Sequence, residues 1–102
     1  MTLEECVSRA WLHSQEEDSG DEMVYRPVGY RFPPARGRRG FELHGGGEAV
    51  YYGIAAADGR DRIPASWTFS EPDQLEIQYE DGRPPLVLHV VSCSEDKLVV
   101  RA

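Results

Sequence analysis

Leu75-Glu76-Ile77-Gln78-Tyr79, Leu86-Val87-Leu88-His89-Val90-Val91 and Leu98-Val99-Val100-Arg101 follow one another over the last third of the chain, preceded by Ser66-Trp67-Thr68-Phe69. Many of the apolar members are β-branched or aromatic, and they alternate with period two. The intervening segments, Glu80 to Pro85 and Ser94 to Lys97, are rich in Gly, Pro, Asp and Ser. That pattern predicts an antiparallel meander. Leu75, Ile77, Leu88, Val90, Leu98 and Val100 are expected to point inward, and Glu76, Gln78, Val99 and Arg101 outward.

Upstream, the signals are shorter. Thr2-Leu3-Glu4-Glu5 is a capping box, and Leu3, Cys6 or Val7, and Ala10 follow at helical spacing, predicting a helix from Leu3 to about Arg9. A helix that short must dock on something. Trp11–Gln15, Met23–Arg26, Phe41–His44 and Ala49–Ala56 read as strands. On the last of these, Val50, Tyr52 and Ile54 share one face and Tyr51 and Gly53 the other. Gly45-Gly46-Gly47 and Asp58-Gly59 read as turns. Pro33-Pro34 excludes a central strand from the long stretch Val28–Arg39.

Eight short strands with short links are most economically closed into a barrel without edges. The expected fold is therefore all-β: an eight-stranded antiparallel up-and-down barrel with a short N-terminal helix. One domain is expected over residues 1–102, with the helix in 1–10 and the barrel in 11–101. Such a barrel is just wide enough for side chains or one small ligand.

The chain carries 18 acidic and 11 basic residues, net −7. Residues 1–23 sum to −6, residues 24–47 to +4 and residues 48–102 to −5. An acidic chain repels nucleic acid and anionic membranes, so neither is an expected partner. The Arg36-Gly37-Arg38-Arg39 cluster has Tyr30 and Phe32 nearby as stacking surfaces. It is expected chiefly to neutralise Glu42 and the acidic turn Glu16–Glu22. No basic leader with an apolar core opens the chain, and no apolar run exceeds six residues. These features lead us to expect a cytoplasmic protein with Cys6 and Cys93 as free thiols, a disulfide between them being the alternative.

Chemical signatures are sparse. His13, His44 and His89 lack metal-site spacing, so no metal and no cofactor are expected. His89 is expected to be partly buried and bonded to a neighbouring strand. Neither Cys has a partner base by spacing, and the paired carboxylates lie in hydrophilic turns, so no catalytic residue is assigned. The three glycines are not followed by the Lys-Ser or Lys-Thr of a phosphate loop.

The chain resembles small bacterial lipocalin-like (calycin-type) domains. The resemblance is carried by a short helix before Trp11, by Trp67-Thr68-Phe69 with Leu75-Glu76-Ile77, and by the closing hairpin Val90–Val100. It implies a structural closure in which Arg101 on the last strand lies across Trp11. Arg9 departs from the pattern, which has Gly two residues before that Trp.

On this basis the expected function is non-catalytic binding of a small apolar or aromatic molecule in the barrel mouth. Tyr25, Tyr30, Tyr52, Trp67, Tyr79 and Leu88 would form its wall, with Arg26 or Arg38 as polar handle. The alternative is a protein-interaction module with a filled barrel, acting through the basic loop 28–39 or the acidic turn 16–22. An interior void above roughly 300 Å³ would favour the binder. The outer residues Val87, His89 and Val91 would make a homodimer contact, since a strand apolar on both faces is usually covered on both.

Overall fold

A computed structural model describes residues 2–33, 38–54 and 60–102. It contains α1 (Leu3–Val7), β1 (Ala10–His13), β2 (Glu22–Pro27), β3 (Gly40–Leu43), β4 (Glu48–Ile54), β5 (Arg60–Ser70), β6 (Gln74–Tyr79), β7 (Leu86–Cys93) and β8 (Leu98–Arg101). Single 3-10 turns occupy Gln15–Glu17 and Gly45–Gly47. In the second of these, Gly46 and Gly47 take φ of 87° and 90°, a region closed to most side chains. The expected Asp58-Gly59 turn lies outside the described residues.

The eight strands close into an antiparallel barrel in the order β1-β2-β8-β7-β6-β5-β4-β3. From β3 to β8 each strand pairs with the next. At the seam, β1 sits between β2 and β3, and β2 rather than β1 meets the last strand. The connection 28–39 must therefore cross β1. It is tied at both ends of that strand: the Val28 amide donates to the Ala10 carbonyl, and the His13 amide to that of Arg39. Leu12, on the outer face between these ties, is buried.

The inner face follows the alternation. Trp11, Phe41, Leu43, Leu75, Ile77, Leu88, Leu98 and Val100 are fully buried. With Tyr25, Ala49, Ala65, Trp67 and Val90 they form one cluster fed by all eight strands. All six residues expected to point inward do so. Glu76, Gln78 and Arg101 are on the outer face with Val99, which is nonetheless buried beside Val24, its partner on β2. The centre of the barrel is thus filled by side chains, which leaves no room there for a ligand.

α1 covers the end at which the β3–β4, β5–β6 and β7–β8 turns gather. Its capping box is formed, with the Glu5 amide donating to Thr2 Oγ1 at 3.1 Å. The helix stops at Val7, earlier than its spacing suggests, because Ser8 leaves helical geometry. Val7 is fully buried in the core cluster, and its carbonyl accepts the indole N–H of Trp11 at 3.0 Å.

Two expectations are corrected. Cys6 and Cys93 are joined in a disulfide, their Cα atoms 6.3 Å apart, and no free cysteine remains. The helix brings Cys6 over the end of β7, a proximity that a separation of 87 residues conceals. The case for a reducing compartment built on free thiols falls with them. Among the described residues no helix is long and apolar enough to cross a membrane.

The second correction concerns Trp11 and Arg101. Trp11 is opposite Pro27 and Arg101 opposite Glu22, at the two ends of β2. Five residues of strand separate those positions by about 16 Å. The ring of Trp11 instead lies under Arg9, whose guanidinium carbon is 5.6 Å from its centroid.

Candidate functional site

The end of the barrel opposite α1 gathers aromatic side chains. Tyr25 on β2 stacks between His13 on β1 and Phe41 on β3, with ring centroids 5.0 and 4.9 Å away. Phe41 pairs across the ladder with Tyr51 on β4. Tyr51 meets Tyr79 on β6 edge-to-face at 5.1 Å, over the β5 strand between them. The rings form a layer above the sealed core, with Tyr25 buried and Tyr51 and Tyr79 half-buried.

The phenol groups are the polar content of this layer. No described partner hydrogen-bonds to the hydroxyls of Tyr25, Tyr51 or Tyr79. Burial, reinforced by Tyr51, raises the Tyr25 phenol well above the ordinary tyrosine range, and burial pushes Tyr79 up to about 12. Both therefore stay neutral at physiological pH. They can donate and accept hydrogen bonds but cannot serve as bases.

His13 closes one side of the layer. Its Nε2 lies 2.9 Å from Asp18 Oδ2, and Asp18 Oδ1 accepts the Val24 amide at 3.0 Å. The carboxylate fixes the imidazole beside Tyr25.

The residues expected to line one site are dispersed. Tyr25 and Tyr79 belong to the aromatic layer. Trp67 points inward nearer the α1 end, where its indole N–H donates to the His44 carbonyl at 2.8 Å. Leu88 is sealed in the core. Tyr52 shares a face with Arg62 and Gly40, outside the barrel. Its neighbour Tyr51 takes the inward position, a choice the sequence leaves open because both parities of β4 are apolar.

Tyr30 is exposed on the crossover under the guanidinium of Arg26, 4.7 Å from its ring centroid. Arg26 also donates to Glu17 at 2.9 and 2.7 Å and to the Asp96 carbonyl. Arg38 is buried. It donates to both oxygens of Glu16 and to the carbonyls of His13 and Pro33, and lies over the ring of Phe32. These arginines clamp the basic crossover to the acidic turn and have no capacity left for a ligand. Of the cluster expected to neutralise the turn and Glu42, Arg38 meets Glu16, Arg36 and Gly37 lie outside the described residues, and Glu42 pairs instead with Arg62 and His44, while Glu17 is met by Arg26.

His89 is half-buried on the outer face of β7, its Nδ1 3.5 Å from Asp73 Oδ1 in the β5–β6 turn. No cluster of described residues could hold a metal ion. Comparison with models of protein families, with curated proteins and with solved structures finds no match.

Proposed function

We propose that this barrel is a non-catalytic binding module for a small apolar or aromatic molecule, which docks on the aromatic layer of Tyr25, Tyr51 and Tyr79. The reading is lipocalin-like in architecture, with the ligand at the mouth because the centre is filled. The observation that carries it is the set of three phenol hydroxyls without described partners, on rings packed against one another above a sealed apolar floor. Mostly apolar concave surfaces with a few convergent polar groups are the usual form of small-molecule sites.

Titration of isotope-labelled protein with 2-naphthol, followed by NMR, tests this. Saturable shifts are expected at Tyr25, Tyr51 and Tyr79, and Tyr51→Ala should weaken binding about tenfold, as loss of a stacking partner and a hydroxyl. Absence of saturation, or binding unchanged in Tyr51→Ala, overturns the reading.

A protein partner is the second reading. Val28 and Tyr30, 51 % and 38 % exposed, favour the crossover as its docking surface, as exposed large apolar side chains beside the Arg38–Glu16 clamp. A second copy of the chain is proposed at the outer face of β7. Val91 is 47 % exposed at the bulge where β7 slips against β8, beside Val87 and His89. Sedimentation at micromolar concentration should give a dimer for the wild type and a monomer for Val91→Glu. A monomeric wild type removes that contact.

A further inference from the structure

A surface cleft of about 390 Å³ lies between α1 and the β7–β8 turn, at the end remote from the tyrosines. Its wall is the Cys6–Cys93 disulfide beside Leu3, and Arg9 and Glu95 flank it. Both cysteines are half-buried and line the cleft. Arg9 is held in place by donating to the Glu95 carbonyl and by lying over Trp11. Its guanidinium pairs with no described carboxylate, and the Glu95 carboxylate with no described cation. The cleft therefore presents an apolar disulfide between two unneutralised charges of opposite sign.

We propose that this cleft is a thiol–disulfide exchange site for a small thiol carrying both a carboxylate and an ammonium group, such as free cysteine or a short cysteine peptide. The carboxylate fits Arg9 and the ammonium group fits Glu95. A guanidinium beside a disulfide favours approach of an attacking thiolate and stabilises the thiolate that departs. In the first step the incoming sulfur bonds to one protein sulfur as the Cys6–Cys93 bond breaks. The bonding electron pair leaves on the other sulfur, which is then protonated from water. A second thiolate attacks the mixed disulfide, releasing the small-molecule disulfide and leaving both cysteines reduced. The first step already removes the cross-link between α1 and β7.

The test is intact-mass kinetics on the oxidised protein with excess L-cysteine, reduced glutathione or 2-mercaptoethanol. Each rate is divided by that thiol's rate with a small linear disulfide. A mixed disulfide is expected, with the two zwitterionic thiols favoured about tenfold over 2-mercaptoethanol. Arg9→Gln should slow exchange with all three thiols and abolish that preference, bringing their normalised rates within about twofold of one another. Glu95→Gln, in an exposed turn, should reduce the preference and decides the matter if Arg9→Gln does not fold. Equal normalised rates for the three thiols, a preference that survives both substitutions, or reduction only under denaturing conditions would overturn the proposal.

Discussion

Arg38 and Glu16 grip each other through two hydrogen bonds, 2.8 and 2.7 Å long, joining the end of the crossover to the β1–β2 turn. Arg26 and Glu17 do the same one residue further along that turn. The arginine side chains hold Glu16 and Glu17 down to about 2, from an ordinary 4.5. A carboxylate with a depressed native pKa stabilises the fold above its unfolded pKa and loses that contribution as pH falls.

Stability should therefore be level above about pH 5 and fall progressively between about pH 5 and 2. The double variant Glu16→Gln, Glu17→Gln should be less stable at neutral pH and flatter across that window. Thermal melts over the pH series measure this. Wild-type and variant curves falling in parallel would mean that other carboxylates control the acid transition.

Gly40 is a close-approach position at the barrel seam. A Cβ there would collide with the Trp11 carbonyl oxygen and come within 3.0 Å of Leu12 Cα. Both atoms are backbone and cannot move without shifting β1 against β3. Gly40→Ala is expected to cost about 3 kcal/mol, at the upper end of overpacking effects. Denaturant unfolding checks it, and a loss below about 0.5 kcal/mol would show that β1 can slide at little cost.

Leu88 tests the register read from the alternating apolar runs. It is fully buried and pairs with Leu75. Leu88→Ala should cost about 2–5 kcal/mol, as loss of a core side chain with a residual cavity. The neighbouring outward change Val87→Thr should cost under about 1 kcal/mol. Equal effects at the two positions would contradict the inward assignment of Leu88.

The strands most legible in the sequence are those of the C-terminal meander. Leu75 and Ile77, Leu88 and Val90, and Leu98 and Val100 give their faces directly. The first half of β5 was not legible: Arg60, Asp61, Arg62 and Pro64 carry no strand signal. It is recruited by β4, whose seven residues pair with Arg60 to Ser66, and Pro64 is accommodated opposite Val50 on the outer face. The position of β1 between β2 and β3 was equally hidden, since consecutive strands usually lie side by side and a 12-residue connection does not reveal what it crosses. For the candidate site, the sequence points to Tyr25 and Tyr79, whose rings the barrel turns inward. Tyr51 was missed because the parity of β4 is decided by its neighbours Phe41 and Ile63.

The disulfide spans 87 residues of sequence, and its contribution to stability follows from that length. In the chain-entropy treatment, closing such a loop removes about 4–5 kcal/mol of conformational freedom from the unfolded state. The paired substitution Cys6→Ala, Cys93→Ala should therefore lower the unfolding free energy by an amount of that order. The core itself is barely touched, since both side chains lie at its edge. The denaturant slope should rise at the same time, because the unfolded chain is no longer held compact. Urea titrations of the oxidised protein and the double variant measure both quantities. A free-energy loss under about 1 kcal/mol with an unchanged slope would mean that the ends of the unfolded chain stay together without the bond.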